Sequence, residues 1–237
     1  QHRSNCLTQR NFYSSGFTKN LGAQKRPIEW RGMMRFARRL LRCGGIFSTI
    51  PVRVVTGPNR DYNRPMGLKS APQGKISIEI EIADLGGLAE FAAATSEQTL
   101  PGHLIGLSGP LGVGKTEFAR ALIMARSKVM GVALLREVPS PTFTLVQTYA
   151  MGDECLSHFD LYRLDGPDDV RELGFDDALD VGPVLVEWPD RLGRLVPKNR
   201  LDLTFSFGEQ ASARNVALVG HGDWVDRLSD LLANFNL

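Results

Sequence analysis

The sequence predicts an α/β protein, a mixed β-sheet held between two layers of helices, and three observations carry that prediction. Apolar residues recur at period two in some stretches and at helical spacing in others, and the two patterns alternate along the chain. A glycine-rich run ending in Lys115-Thr116 lies between an apolar strand and an amphipathic helix. Two carboxylates, Asp160 and Glu187, close apolar strands, and ligands of open α/β sheets lie outside the carboxyl ends of the strands.

Composition narrows the classes. With 237 residues, 43% hydrophobic and 23% charged, the chain can bury a core, which excludes disorder of the whole. No apolar run approaches the roughly 20 residues of a membrane helix, so the expectation is a cytoplasmic protein without a membrane partner. Cys6, Cys43 and Cys155 are widely spaced, which fits a reducing compartment and excludes zinc fingers and disulfide scaffolds.

Charge divides the chain in two. Residues 1–75 hold 15 Lys and Arg against only Glu29 and Asp61, whereas residues 76–237 hold 13 against 24 Asp and Glu. The basic part has helix-like spacing in Met33, Phe36, Ala37, Leu40 and Leu41, with Arg35, Arg38, Arg39 and Arg42 opposite. It is then broken by Gly44-Gly45, Pro51, Pro58, Pro65 and Pro72. Little of it reads as core, so the expectation is a basic, disordered N-terminal extension over 1–75 and one folded domain over 76–237. A transit peptide, a basic arm for nucleic acid or anionic lipid, and sequence upstream of a start at Met33, Met34 or Met66 are the competing readings of that extension.

The domain opens on Ile76, Ile78, Ile80 and Ile82 alternating with Ser77, Glu79 and Glu81, a half-buried strand. Asp84 is placed to cap a helix carrying Leu85, Leu88, Phe91 and Ala92. A second strand, Leu104-Ile105-Gly106-Leu107, runs into Gly109-Pro110-Leu111-Gly112-Val113-Gly114-Lys115-Thr116, which meets the G-x-x-x-x-G-K-[ST] pattern at every fixed position. Phe118, Ala121, Leu122 and Ala125 follow at helical spacing, so the loop opens onto a helix N-terminus. Its glycines let successive N–H groups face a phosphate, and the helix dipole adds about half a positive charge behind them. In such a loop Lys115 reaches the β and γ phosphates and the Thr116 hydroxyl ligates magnesium. The fold class is therefore a three-layer P-loop NTPase with a mixed sheet.

A phosphate cradle needs a metal-linked acid. Leu156-Ser157-His158-Phe159 leads to Asp160 and Pro183-Val184-Leu185-Val186 leads to Glu187, and either suits that role; a solvated strand-end acid is the bland alternative for each. No Asn-Lys-x-Asp guanine-reading motif follows the strands, which favours ATP over GTP. Pro139-Ser140-Pro141-Thr142-Phe143-Thr144-Leu145-Val146 reads as a constrained loop entering a strand, with Thr142 placed to sense a γ phosphate as switch loops do. Pro167 to Leu173 predicts a short helix stopped by Gly174, and Asp190 to Leu195 another. Leu201 to Phe205 and Val216 to Val219 are strands, and Asp223 to Phe235 is a closing helix with Trp224 in the core. His103 and His221 read as isolated surface or turn residues.

The ordered series Gly-x-Leu-Gly-x-Gly-Lys-Thr (109–116), Ser-Pro-Thr-Phe-Thr-Leu-Val (140–146), His-Phe-Asp-Leu-Tyr-Arg-Leu (158–164) and Leu-Val-Glu-Trp-Pro (185–189) resembles the TsaE family, small bacterial P-loop ATPases of tRNA threonylcarbamoyladenosine modification. The resemblance covers roughly residues 76–237, a P-loop ATPase domain, and leaves 1–75 untouched. It implies that Lys115 and Thr116 serve phosphate and magnesium, and that Gly109, Leu111, Gly112, Val113, Gly114 and Glu117 complete the nucleotide loop. It makes Glu187 the magnesium-linked acid, Trp188 a residue needed for activity, and Asp160 an acid of metal binding or hydrolysis, with Thr142 and Thr144 in the switch-like loop. The family's adenine pocket falls near Ala83-Asp84-Leu85, and Glu117 stands where a second Thr or Ser is common.

The implied partners are TsaB and TsaD, of which TsaD transfers threonylcarbamoyl to a tRNA adenosine; the tRNA is met only through that complex. The expectation is a slow, magnesium-dependent ATPase that resets this assembly. A P-loop small-molecule kinase is the alternative enzyme, though only Arg163 and Arg171 fall where its arginine-rich lid belongs. A nucleotide-gated RNA- or protein-binding module without turnover is the alternative outside enzymes.

Overall fold

A computed structural model describes residues 52–56, 76–133 and 137–234 of the chain; the helix-like stretch expected at 33–42 lies outside them. The elements follow in order as β1 (Val52–Thr56), β2 (Ile76–Ile82), α1 (Leu85–Gln98), β3 (Leu104–Ser108), α2 (Lys115–Val129), β4 (Val146–Met151) and β5 (Glu154–Asp160). Next come α3 (Pro167–Glu172), α4 (Phe175–Val181), β6 (Val184–Glu187), a 3-10 segment (Pro189–Leu195), β7 (Arg200–Phe207), β8 (Arg214–His221) and α5 (Trp224–Asn234).

Among the described residues one sheet takes eight strands in the order β1-β2-β8-β7-β3-β6-β5-β4. Its centre, β7-β3-β6-β5, is parallel, and antiparallel pairs complete both sides, so the sheet is mixed as expected. The sheet begins inside the basic segment: β1 lies within residues 1–75 and pairs with β2 along the register Val52 with Ile80 to Thr56 with Ile76. It is an edge that sequence reading did not anticipate, because a five-residue run among prolines carries little periodic signal.

Alternation on the central strands separates two cores. Ile105, Leu107 and Leu185 face one side and pack with Phe91 of α1, Phe118 and Leu122 of α2, and Trp224 and Leu231 of α5. Leu104, Val184 and Val186 face the other and pack with Val170 of α3, Phe175 of α4 and Leu192 of the 3-10 segment. Helices on both faces of a largely parallel sheet are the three-layer architecture the pattern predicts. Every residue of β5 is buried, Glu154, Ser157, His158 and Asp160 included, because the strand has neighbours on both edges and cover on both faces.

Local chemistry explains the element ends. Asp84 caps α1 as expected, its carboxylate accepting from Gly87 N at 3.0 Å. Gly174 ends α3 but also begins α4, a seven-residue helix not foreseen from sequence, where buried Phe175 anchors a run rich in acids. Two further expectations need correction. His103 is not a surface residue: it is 2% exposed, its ring 5.5 Å from Trp224 and its Nε2 3.9 Å from Asp223. His221 is not isolated, since its Nε2 lies 2.9 Å from Asp202 and 3.1 Å from Arg200. Cys155 is buried in β5. Among the described residues no helix is long and apolar enough to cross a membrane.

Candidate functional site

The site forms where the parallel strands β3, β5 and β6 end. Register sets Leu107 beside Glu187 and Asp160 beside Glu187, so the carboxyl ends of three strands share one rim. The glycine-rich loop leaves β3 there and enters α2, whose first residue is Lys115. Two of its glycines are required by geometry. Gly109 has φ +135°, and a Cβ there would fall 2.4 Å from the Phe205 carbonyl oxygen; Gly114, at φ +110°, occupies the N-cap of α2. The first-turn amides of α2 have no acceptors within the helix and face the loop's concavity, which makes the turn a ready anion cradle.

Lys115 is buried, and its ammonium donates to the carbonyls of Gly109 at 2.8 Å and Pro110 at 2.9 Å. It also lies 4.2 Å from the centre of the Trp188 ring. Burial pushes its pKa below the ordinary lysine value, and the charges of Glu187 and Asp160 oppose that shift. Trp188 reaches this position because its backbone is left-handed, φ 61° and ψ 55°, directly after β6; its ring also meets Tyr162 at 5.0 Å.

The two acids do different things. Thr116 Oγ1 donates to Glu187, 2.8 Å from Oε1 and 3.1 Å from Oε2, and His158 Nε2 lies 3.1 Å from the same Oε1. Asp160 instead turns to the loop before β4: Thr142 Oγ1 donates to its Oδ2 at 2.8 Å, and the Tyr162 amide to its Oδ1 at 3.1 Å. Ser140 Oγ lies 2.8 Å from Thr142 Oγ1 and extends that chain of hydroxyls. The same loop ends on Leu145, left-handed at φ 65°, whose amide donates to Pro141 at 2.6 Å.

These groups enclose a cleft of about 470 Å³. Leu111, Gly112, Gly114, Lys115, Thr116, Glu117, Thr142, Asp160, Glu187 and Trp188 all line it, as do Tyr162 and Arg163. Leu111 is 77% exposed at its mouth, whereas Gly109 and Val113 do not line it, the Val113 side chain being wholly buried. Glu117 pairs with Arg120 one helical turn on. Thr144 is exposed and accepts from Gln147 at 3.0 Å. Asp84 serves the α1 cap, and neither Ala83 nor Leu85 lines the cleft.

Sequence reasoning gave His158, Tyr162 and Arg214 no role here. A histidine inside a strand of otherwise buried character is a signal in the case of His158. Arg214 carried none: it lies 101 residues from Val113 in sequence, yet its Nε donates to the Val113 carbonyl at 2.8 Å and braces the loop from β8. An oxygen-only donor set, Thr116 with Glu187, beside a buried ammonium and helix amides suits a hard divalent cation bridged to phosphate. No nitrogen or sulfur ligand is needed for it.

Comparison with known proteins identifies the family. Residues 82–216 match the sequence model of the family described as "Threonylcarbamoyl adenosine biosynthesis protein TsaE". The tRNA threonylcarbamoyladenosine biosynthesis protein TsaE of Rickettsia felis is 36% identical over 107 residues, 45% of this chain and 60% of that protein. The protein of the same name from Haemophilus influenzae is 31% identical over 149 residues, 60% of this chain and 89% of that protein. The chain thus spans less than two thirds of the Rickettsia felis relative and most of the Haemophilus one. A crystal structure of YdiB from Bacillus subtilis shares the fold, with a TM-score of 0.53 at 22% identity over 66% of this chain and 95% of that one. With more than half of its length matched to the family and its glycine-rich loop, strand-end acids and Trp188 gathered in one cleft, the chain belongs to the TsaE family.

Proposed function

We propose that this protein binds ATP with magnesium and hydrolyses it slowly in support of tRNA threonylcarbamoyladenosine biosynthesis, acting in the cytoplasm with TsaB and TsaD and meeting tRNA through them. The pathway is the one named by its family and relatives. The observation that carries the chemical part is the hydrogen bond from Thr116 to Glu187, groups 71 residues apart that meet beside Lys115 at the glycine-rich loop. A P-loop threonine joined to a strand-end carboxylate is the arrangement that magnesium–nucleotide binding requires.

The residues divide the work. The amides of the loop and of the first turn of α2 hold phosphate oxygens, and Lys115 leaves the carbonyls of Gly109 and Pro110 to meet them. Thr116 and Glu187 would hold magnesium, which when bound supplies positive charge to the phosphate oxygens. Asp160 orients the attacking water, being the acid not engaged by Thr116, and Thr142 couples it to the switch-like loop. Hydrolysis here rests on positioning and electrostatics, with no covalent intermediate.

The test is ATP turnover by the full chain with and without magnesium, alone and with a TsaB–TsaD pair. Turnover should need magnesium, rise with the partners, and fall about 10²–10³-fold in Lys115→Ala, the scale of losing one preorganised charge-stabilising donor. Nucleotide binding without turnover in every setting would remove the hydrolytic roles of Asp160 and Glu187 and leave a nucleotide-gated binding protein.

A further inference from the structure

Glutamate has one more side-chain torsion than aspartate, so a metal-linked glutamate is harder to hold in one orientation. Glu187 is nonetheless directed at Thr116, and one hydrogen bond from a hydroxyl that must also serve a cation does little to fix it. A second contact lies on its other side. His158 stands two residues before Asp160 in β5 and so shares its face of the strand, and the parallel register with β6 brings its ring to Glu187. Its Nε2 is 3.1 Å from Glu187 Oε1, and the side chain is wholly buried.

The tautomer follows from the partners. A carboxylate only accepts, so Nε2 carries the proton. Nδ1 is buried with no hydrogen-bond partner among the described residues, and a proton there would be a donor without an acceptor. The neutral Nε2–H ring is the form that satisfies both ends best. We propose that His158 is a positioning residue for Glu187: it donates from Nε2 to Oε1 and holds the carboxylate toward Thr116, so that Thr116 and Glu187 present a preformed oxygen pair to magnesium. The inference rests on the magnesium–nucleotide reading given above.

It is tested on the full chain with the fluorescent ATP analogue mant-ATP, titrated with magnesium and again in EDTA. Outer-sphere partners of metal ligands are worth about 10- to 100-fold in metal affinity. His158→Leu should therefore raise the magnesium concentration for half-maximal effect by that factor, while mant-ATP affinity in EDTA stays within about twofold of wild type. His158→Gln, whose amide can donate near the Nε2 position, should recover most of the loss, a rescue that a merely space-filling role would not give. An unchanged magnesium requirement in His158→Leu, or a Gln variant that is folded and equally defective, overturns the positioning role alone. A wild-type chain whose mant-ATP binding ignores magnesium overturns the underlying reading, and the inference with it. A measurement on the wild-type chain guards against a variant that does not fold: long-range 1H–15N correlation should show His158 protonated at Nε2, and protonation at Nδ1 alone overturns the proposal.

Discussion

Single residues here hold geometry that a strand or helix does not supply by itself. Trp188 keeps a left-handed backbone, which costs a residue bearing a Cβ of order 1–3 kcal/mol unless its surroundings compensate. Its compensation includes the Lys115 ammonium over the ring and the Tyr162 contact. Drawing Lys115 to a phosphate removes the charge from the indole, so magnesium–ATP should change tryptophan emission in the wild-type chain, and Trp188→Phe should abolish the change although Trp30 and Trp224 remain. Unaltered wild-type emission at saturating nucleotide would contradict the geometry. His103 gives a second prediction. Burial, and after it the charge of Arg227, lowers its pKa from 6.5, with Asp223 opposing. The unfolded imidazole therefore takes a proton more readily than the folded one, so the stabilisation is complete above about pH 6.5 and is lost as pH falls through the lowered folded value. Urea denaturation between pH 7.5 and 5 should show a shallower decline for His103→Gln than for wild type; parallel declines would refute the assignment.

At the scale of elements, the turn from β3 into α2 has the least tolerance. Gly109→Ala places a methyl against the Phe205 carbonyl of β7 at a φ that alanine avoids, so the loop or the strand must shift. A stability loss of about 1–3 kcal/mol is expected, with mant-ATP affinity falling alongside it. Urea denaturation and nucleotide titration of the same variant check both, and wild-type values in both would show that the loop relaxes freely. The helices on this side were legible because their apolar spacing and caps are local: Asp84 before α1, and Phe118, Ala121, Leu122 and Ala125 along α2. α4 was not, because its seven residues offer too short a period and its anchor, Phe175, is identified by burial.

At the scale of the folded domain, a buried ion pair ties α1, α2 and β5 together. Arg126 of α2 meets Glu154 of β5 at 2.7 Å, both nearly wholly buried, and also donates to the carbonyls of Ser96 at 3.0 Å and Thr99 at 3.1 Å at the C-terminal end of α1. Removing one partner leaves a buried charge uncompensated, so Arg126→Met should cost about 3–5 kcal/mol, while the joint apolar replacement of Arg126 and Glu154 should cost much less. Thermal denaturation of the single and double variants decides it: equal losses would mean that the pair's charge is irrelevant and its packing is everything.

Sequence alone determined the α/β class, the phosphate-type loop at 109–116, the pair of strand-end acids and the motif order that identifies the family, because these depend on spacing and local backbone chemistry. The separate hydrogen-bond partners of the acids were decided by tertiary structure. Strand register turns Glu187 toward Thr116 and His158, and Asp160 toward Thr142, although both acids end strands in the same way in the sequence. The brace from Arg214, the burial of His103 and the edge strand β1 belong to the same class. Each depends on which distant segments the sheet order makes neighbours, and that order arises from packing the two cores together.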